Sequence, residues 1–154
     1  MKILVVGGGG REHAIIKSLK KNALVEKIYA LPGNGGIAKD AECFPIKAND
    51  VDGIVDFAKN HKIDFAVVAP DDPLVLGLVN RLEDLSIPCF GPRAEAAIIE
   101  GSKVFSKNLM KKYGIPTADS ETFSDPDKAI EYLKNSSYPT VIKADGLALG
   151  KGVI

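Results

Sequence analysis

The sequence is poor in cysteine and has no excess of charge of either sign. Lysine plus arginine and aspartate plus glutamate number 20 each, so the formal net charge is zero. A neutral chain has no electrostatic footprint for nucleic acid or an anionic membrane, which leaves small molecules as the expected partners. The two cysteines, Cys43 and Cys89, are far apart and show no metal-ligand spacing. They favour a reduced cytoplasmic protein with buried thiols, and a single disulfide in a secreted protein is the alternative.

Long hydrophobic runs are also missing. No stretch approaches the roughly 20 apolar residues that a membrane-spanning helix needs. The apolar run at residues 3–6 is too short for a signal peptide, and it ends on four glycines rather than at a small-residue cleavage site. We therefore expect a cytoplasmic protein with no membrane partner. A length of 154 residues allows one complete domain and part of a second.

The first 92 residues alternate apolar runs with helical patterns. Continuous runs rich in valine, isoleucine and leucine are typical of strands that are buried on both faces of a parallel sheet. Such runs predict strands at residues 3–6, 27–31, 65–69 and 87–90. Apolar residues at helical spacing predict helices at 11–21 and 50–60, with another before the fourth strand. The alternation predicts a doubly wound α/β domain with a parallel sheet.

The pattern changes after Gly91 and Pro92. Helices are expected at residues 94–100 and 102–113, and a further helix follows Ser124, its predicted N-cap. Residues 140–143 are predicted to form a strand, and Val153 with Ile154 to begin another that has nothing to pair with. We therefore expect a complete domain over residues 1–100 and an incomplete second domain over residues 101–154.

Four consecutive glycines, Gly7 to Gly10, follow the first strand and open the first helix. Glycine lets the backbone approach a ligand there, and the helix N-terminus offers unpaired N–H groups to an anion. The dinucleotide fingerprint G-x-G-x-x-G fails in both registers, because Glu12 and His13 stand where it needs its last glycine. A smaller phosphorylated ligand is favoured over NAD. The alternative is that the glycines only permit close packing of strand and helix.

The side chains after these glycines allow more than one interpretation. Arg11 in the first helical turn is suited to holding a phosphate, whereas Glu12 there can simply favour the helix dipole. His13 is either a ligand contact or a packed or capping histidine. His61 stands at a helix end beside Lys62, and we expect it to be solvated.

A second phosphate-binding pattern lies near the last residue. Lys143 ends a predicted strand and precedes a glycine loop with its own lysine, Lys151. The loop is not a Walker A motif, because its glycine spacing is one residue short and glycine follows Lys151. Its lysines are nevertheless suited to a polyphosphate, so we expect the front part of a larger ATP-dependent ligase. Lys103 at a helix start is a further candidate, with an ordinary solvated helix face as its alternative.

Six segments together resemble the phosphoribosylamine-glycine ligases, also called glycinamide ribonucleotide synthetases, of the ATP-grasp superfamily. They are residues 9–14 (GGREHA), 32–34 (PGN), 90–92 (FGP), 100–103 (EGSK), 113–117 (YGIPT) and 141–153 (VIKADGLALGKGV). Each string alone is weak, but the set runs in order along essentially the whole chain. The fold that it implies is a Rossmann-like, pre-ATP-grasp α/β domain followed by the truncated start of an ATP-grasp domain.

The resemblance implies a carbon–nitrogen ligase of purine biosynthesis. In the family, ATP phosphorylates the glycine carboxylate, and the amine of 5-phosphoribosylamine attacks the glycyl phosphate to give glycinamide ribonucleotide, ADP and phosphate. The implied cofactors are ATP and Mg²⁺, with Mn²⁺ as an alternative. Positioning and charge neutralisation suffice for phosphoryl transfer, so we assign no catalytic side chain.

The resemblance also implies binding residues. The phosphates of ATP would meet Lys103 and Lys143, under a mobile loop that contains Gly146, Gly150, Lys151 and Gly152. The first domain would hold phosphoribosylamine, whose ribose phosphate would lie near Gly9, Gly10, Arg11 and Glu12. Asp71, after the third predicted strand, would face the sugar or the amine.

Two residues depart from the family's pattern. Asp71 is one methylene shorter than the usual glutamate, and Gly8 stands where asparagine is common. In the family, the adenine hinge, the metal ligands and the glycine site lie beyond position 154, so we expect this chain alone to be inactive and to bind ATP poorly. The alternatives are another ATP-grasp ligase or carboxylase, and a non-catalytic phosphoribosyl-binding module.

Overall fold

A five-stranded parallel sheet forms the centre of the first part of the chain. The computed structural model describes residues 1–148 and 152–154. Its strands are β1 (Lys2–Gly7), β2 (Lys27–Pro32), β3 (Glu42–Cys43), β4 (Phe65–Val68) and β5 (Cys89–Phe90). They lie in the order β3-β2-β1-β4-β5, and every neighbouring pair is parallel. The chain separates into two units, residues 1–98 and 99–154.

Helices connect the strands and continue into the second unit. They are α1 (Gly10–Leu19), α2 (Val51–His61), α3 (Asp71–Val75), α4 (Leu78–Asp84), α5 (Ala94–Gly101), α6 (Lys103–Lys112) and α7 (Pro126–Lys134), with a short 3₁₀ helix at Ile37–Lys39. None of the helices within residues 1–148 is long and apolar enough to cross a bilayer.

The sheet is covered on both faces, which is what the continuous apolar runs predict. Leu4 and Val6 of β1 pack in one cluster with residues of α2 and α4. Ile3 and Val5, which point to the opposite face, pack in a second cluster with Ile16 of α1. The doubly wound α/β prediction is therefore confirmed.

The short edge strands differ from the prediction. β3 was not predicted, because Glu42 and Cys43 form no apolar run and only two residues pair with β2. β4 ends at Val68 rather than at residue 69, and β5 is confined to Cys89 and Phe90. Two helices, α3 and α4, fill the connection for which one was expected.

The second unit corrects two further predictions. Asp125 rather than Ser124 is the N-cap of α7, and its side chain accepts the N–H of Asp127 at 2.9 Å. The next residue is proline, which suits the first helical position and puts the cap at Asp125. Residues 140–143 form an isolated antiparallel bridge, Lys143 to Val153, instead of a strand. The residues at the end of the chain therefore have a pairing partner within this unit.

Candidate functional site

The sheet has its topological switch point between β1 and β4. From β1 the chain passes through α1 to β2 on one side, whereas β4 lies on the other side of β1. Val6 pairs with Val68, so the two strands end side by side, at Gly7 and Val68. Open α/β sheets bind ligands outside the carboxyl ends of the strands at such a point.

The glycine turn after β1 is packed tightly at its start and open at its end. Gly7 has φ +123°, and a Cβ built there would lie 2.7 Å from Glu12 Cγ and 3.0 Å from Pro70 Cγ. A Cβ on Gly8 would lie 2.6 Å from the carbonyl oxygen of Gly33. A Cβ on Gly10 would have no neighbour within 4 Å. Packing thus explains the first glycines, and Gly10 leaves open space at the start of α1.

Glu12 holds this turn from inside. Its side chain is buried, with 3% of the residue exposed, and Oε2 accepts the N–H of Gly9 at 2.6 Å. The other oxygen, Oε1, is buried and has no hydrogen-bond partner among the described residues. Glu12 is therefore more than a favourable charge at the helix dipole, because it closes the turn on itself.

The two histidines have structural contacts. His13 Nε2 lies 2.9 Å from Asp40 Oδ2, and Lys20 Nζ donates to the same carboxylate at 2.8 Å. The hydrogen bond from Lys20, followed by those from His13 and Lys17, holds the pKa of Asp40 well below its usual range. The prediction that His61 is solvated was wrong: its ring is half-buried and stacks on Phe57 with centroids 3.8 Å apart.

A cleft of about 470 Å³ opens at the switch point. Four segments line it: the β1–α1 turn with Gly9, Arg11 and Glu12, Pro32 at the end of β2, residues 47–49 after β3, and the turn after β4. Three of the predicted substrate residues therefore share one cleft, whereas Gly10 and Asp71 are not among its lining residues.

Three polar side chains of this cleft were not predicted. They are Lys47, Asn49 and Asp72. Their segments carry no motif, and only the parallel arrangement of β3 and β4 brings them beside the glycine turn. Asp71, the residue that was predicted, is half-buried at the start of α3, and its exposed neighbour Asp72 lines the cleft. Arg11 and Lys47 give the cleft positive charge, and Glu12 with Asp72 gives it negative charge.

The predicted ATP residues of the second unit are partly brought together. Lys103 Nζ donates to the carbonyl oxygen of Gly146 at 2.7 Å. Lys143 is exposed, and the carbonyl of Gly152 accepts the N–H of Ala144 at 2.7 Å. Gly150 and Lys151 lie outside the described residues.

Residues 1–148 and 152–154 contain no group of three or more histidine, cysteine, aspartate or glutamate side chains that could hold a metal ion. The described residues thus do not fit a complete magnesium site, and we derive no step through a metal.

Comparison with known proteins identifies the family. The protein-family model of the phosphoribosylglycinamide synthetase N domain matches residues 1–100. The family model of the ATP-grasp (A) domain of phosphoribosylglycinamide synthetase matches residues 101–154. The phosphoribosylamine–glycine ligase of Caldanaerobacter subterraneus subsp. tengcongensis is 51% identical over 153 residues, which are 99% of this chain and 37% of that protein. The chain thus spans about 37% of the length of this curated relative.

Solved structures agree with this assignment. The crystal structure of phosphoribosylamine–glycine ligase from Thermotoga maritima has a TM-score of 0.77 at 35% identity, over 100% of this chain and 35% of that one. The biotin carboxylase domain of the Hydrogenobacter thermophilus 2-oxoglutarate carboxylase has a TM-score of 0.78 at 21% identity, over 99% and 36%, which shows the fold alone. With sequence relatives, domain models and fold in agreement, the chain belongs to the phosphoribosylglycinamide synthetase family.

Proposed function

We propose that the whole protein joins glycine to 5-phosphoribosylamine at the expense of ATP. The products are glycinamide ribonucleotide, ADP and phosphate, and a glycyl phosphate is the intermediate. The observation that carries this proposal is the cleft at the switch point, where a glycine turn, the first turn of α1 and two basic side chains meet in a chain of this family. The reaction is a step of purine biosynthesis, and we propose the cytoplasm as its location.

The cleft suits a sugar phosphate in size and charge. Small-molecule sites commonly have volumes of roughly 300–1,000 Å³. Arg11 and Lys47 supply cations for a phosphate. The N–H groups of the first turn of α1, which follows the cleft-lining Gly9, would add hydrogen-bond donors. We propose Gly9 and Gly10 as the places where the backbone approaches the ribose phosphate.

The acidic side chains of the cleft suit the hydroxyl and amine groups of the ligand. Oε1 of Glu12 is a buried acceptor without a partner in the described residues, and leaving such a group unpaired is costly. A hydroxyl or amine of the ligand would satisfy it after a small movement of the turn. We retain Asp71 as a proposed contact to the sugar or the amine, and we add Asp72 because it lines the cleft.

The second unit would supply part of the ATP site. We propose that Lys103 and Lys143 meet the phosphates of ATP, and that Gly146, Gly150, Lys151 and Gly152 belong to the loop over them. The carboxylase domain of Hydrogenobacter thermophilus was solved with MgADP, which supports ATP and Mg²⁺ for a chain of the same fold. We propose that the metal ligands lie beyond residue 154, and that residues 1–100 and 101–154 are separate domains.

The fold also permits a different ATP-grasp ligase or carboxylase. N5-carboxyaminoimidazole ribonucleotide synthetase from Thermotoga maritima has a TM-score of 0.74, although at 21% identity the likeness shows the fold alone. A non-catalytic phosphoribosyl-binding module is a further alternative. The identity of 51% to a phosphoribosylamine–glycine ligase favours the first proposal.

ADP formation by the full-length protein, meaning a chain that continues to the length of the relatives, separates these functions. The assay supplies ATP, Mg²⁺, glycine and 5-phosphoribosylamine formed from ribose 5-phosphate and ammonia, and then omits each in turn. We expect ADP only when both glycine and phosphoribosylamine are present. Dependence on bicarbonate instead of glycine would identify a carboxylase, and ligand binding without ADP formation would identify a binding module.

A pair of lysine variants makes this assay specific to the proposed ATP site. Lys143→Met removes a proposed phosphate contact, so we expect much slower ADP formation. Lys112→Met removes an exposed lysine at the end of α6, and its rate should match that of the unaltered protein. Equal rates for both variants would contradict the role of Lys143.

A further inference from the structure

A single carboxylate joins the start of α6 to the segment that precedes the glycine loop. Asp145 Oδ1 accepts the backbone N–H of Lys103 at 2.7 Å and that of Val104 at 3.2 Å. The hydroxyl of Ser102 donates to Oδ2 of the same carboxylate at 3.1 Å. Asp145 and Lys103 are 42 residues apart, so these bonds connect distant segments of the second unit.

The contact is electrostatically favourable for both the Asp145 carboxylate and the N-terminus of α6. The first N–H groups of a helix have no acceptor within the helix, and they form the positive end of its dipole. Their hydrogen bonds, that of Val104 above all, keep the pKa of Asp145 below its usual value. The charge of Asp145 is thus compensated by α6, although the side chain is exposed.

The same contact connects the two lysines of the proposed ATP site. Lys103 is the first residue of α6, and Lys143 lies two positions before Asp145. A second bond runs in the reverse direction, because Lys103 Nζ donates to the carbonyl of Gly146 at 2.7 Å. Lys103 is therefore hydrogen-bonded to the 143–146 segment twice, through its backbone N–H and through its side chain.

We propose that Asp145 is a positioning residue for ATP, which holds Lys103 and the 143–146 segment at a fixed separation so that both ammonium groups meet the phosphates together. The inference rests on the proposed function. Cations that are already in place lose less conformational entropy when a polyphosphate binds. The hydrogen bonds of Asp145 would therefore raise the affinity for ATP without a contact to the ligand. The bond from Lys103 Nζ to Gly146 would be exchanged for a phosphate when ATP arrives.

Simple helix capping is the competing explanation, and Ser102 provides a control for it. The hydroxyl of Ser102 is the N-cap of α6, since it accepts the N–H of Phe105 at 3.0 Å. Ser102→Ala removes that cap together with the hydroxyl's own bond to Asp145, but it leaves the bonds from the backbone of Lys103 and Val104 to Asp145. Asp145→Ala removes every bond of the carboxylate, and it leaves the Ser102 cap and the bond from Lys103 Nζ to Gly146. The two variants therefore separate a capping effect from a positioning effect.

The test is calorimetric titration of ATP into the full-length protein, without glycine or phosphoribosylamine. We expect Asp145→Ala to raise the Kd for ATP roughly 10- to 100-fold, which is the scale of loss when one hydrogen bond to a charged group is no longer made. Asp145→Asn keeps an acceptor and should recover part of the affinity. Ser102→Ala should change the Kd by no more than about threefold, since the two backbone bonds from Lys103 and Val104 to Asp145 remain. Unfolding midpoints of all variants are measured in parallel.

The kinetic signature should be equally selective. In the ADP assay, Asp145→Ala should raise KM for ATP more than it lowers kcat, and KM for glycine should not change. Three results would overturn the proposal: no ATP binding by the unaltered protein, unchanged or tighter binding by Asp145→Ala, or equal losses in Asp145→Ala and Ser102→Ala. ATP binding does not require ligation. The positioning role of Asp145 can therefore be supported while the proposed ligase function fails, and the ligase function can be supported while the positioning role fails.

Discussion

Replacing Gly7 by alanine tests the packing of the β1–α1 turn. Gly7 is the buried last residue of β1, and its φ of +123° is one that residues with a Cβ rarely adopt. The added methyl group would lie 2.7 Å from Glu12 Cγ, 2.9 Å from Glu12 Cδ and 3.0 Å from Pro70 Cγ. Glu12 cannot move away freely, because it is buried and bonded to Gly9 at 2.6 Å.

The expected loss of stability has two parts. Forcing alanine into this backbone conformation costs about 1–3 kcal/mol, and overfilling a packed site costs about 1–3 kcal/mol. The free energy of unfolding should therefore fall by about 2–6 kcal/mol. Urea unfolding followed by circular dichroism measures it, and with an m-value of about 2 kcal/mol per M the midpoint should fall by roughly 1–3 M.

Gly10→Ala is the matched control within the same glycine run. Gly10 begins α1, and a Cβ there meets nothing within 4 Å. Alanine is favoured over glycine in helices by up to about 1 kcal/mol, so this variant should be as stable as the unaltered chain or slightly more stable. A Gly7→Ala variant within about 0.5 kcal/mol of the unaltered chain, below the expected strain, would refute the packing argument, as would equal damage from both substitutions.

Three further predictions concern side chains outside this turn. Lys47→Met should weaken the binding of ribose 5-phosphate, measured by calorimetry, by roughly tenfold, because a charge-assisted hydrogen bond is lost. The control variant Lys21→Met should bind as the unaltered chain does. Equal affinities of the two variants would exclude Lys47 from the site. The lowered pKa of Asp40, due first to Lys20, means that its stabilisation is complete above the unfolded value near 4 and is lost as the pH falls below it. Urea midpoints measured from pH 5 to about pH 2 should therefore fall more steeply for the unaltered chain than for Asp40→Asn, and parallel curves would contradict this. Burial raises the pKa of Cys89 to about 11, so at pH 8 the native chain should be alkylated there far more slowly than the unfolded chain, by mass spectrometry; equal rates would contradict the burial of this thiol.

The sequence predicts the central strands better than the edges of the sheet. β1, β2 and β4 are buried on both faces, and this burial produces the continuous apolar runs that identify them. β3 is a two-residue edge strand of mixed polarity that no apolar run marks. The apolar run at residues 87–90 does mark β5, but it overstates its length, because only Cys89 and Phe90 pair with β4. The structure at Val153 was also not predicted, because it depends on an antiparallel bridge to Lys143 that no local sequence pattern indicates.

The candidate site follows the same division. Gly9, Arg11 and Glu12 lie within four positions of the sequence, so a sequence motif can identify them, and they line one cleft. Lys47 and Asp72 reach that cleft only because the strands before them are parallel, which requires the whole sheet to be known. His61 was misjudged for a different reason. Its position at a helix end suggests solvent, but it stacks on Phe57 one turn earlier in α2, and Tyr29 and Phe44 from other segments also face its ring.

Transfer of an oxygen isotope tests the proposed chemistry most directly. The full-length protein is supplied with ATP, Mg²⁺, 5-phosphoribosylamine and glycine labelled with ¹⁸O in its carboxyl group, and the released phosphate is analysed by mass spectrometry. If ATP phosphorylates the carboxylate and the amine then displaces phosphate, the oxygen that bridged carbon and phosphorus leaves with the phosphate. We predict that each phosphate released carries one ¹⁸O atom from glycine. Unlabelled phosphate, or ADP formation that does not require glycine, would contradict a ligation through glycyl phosphate.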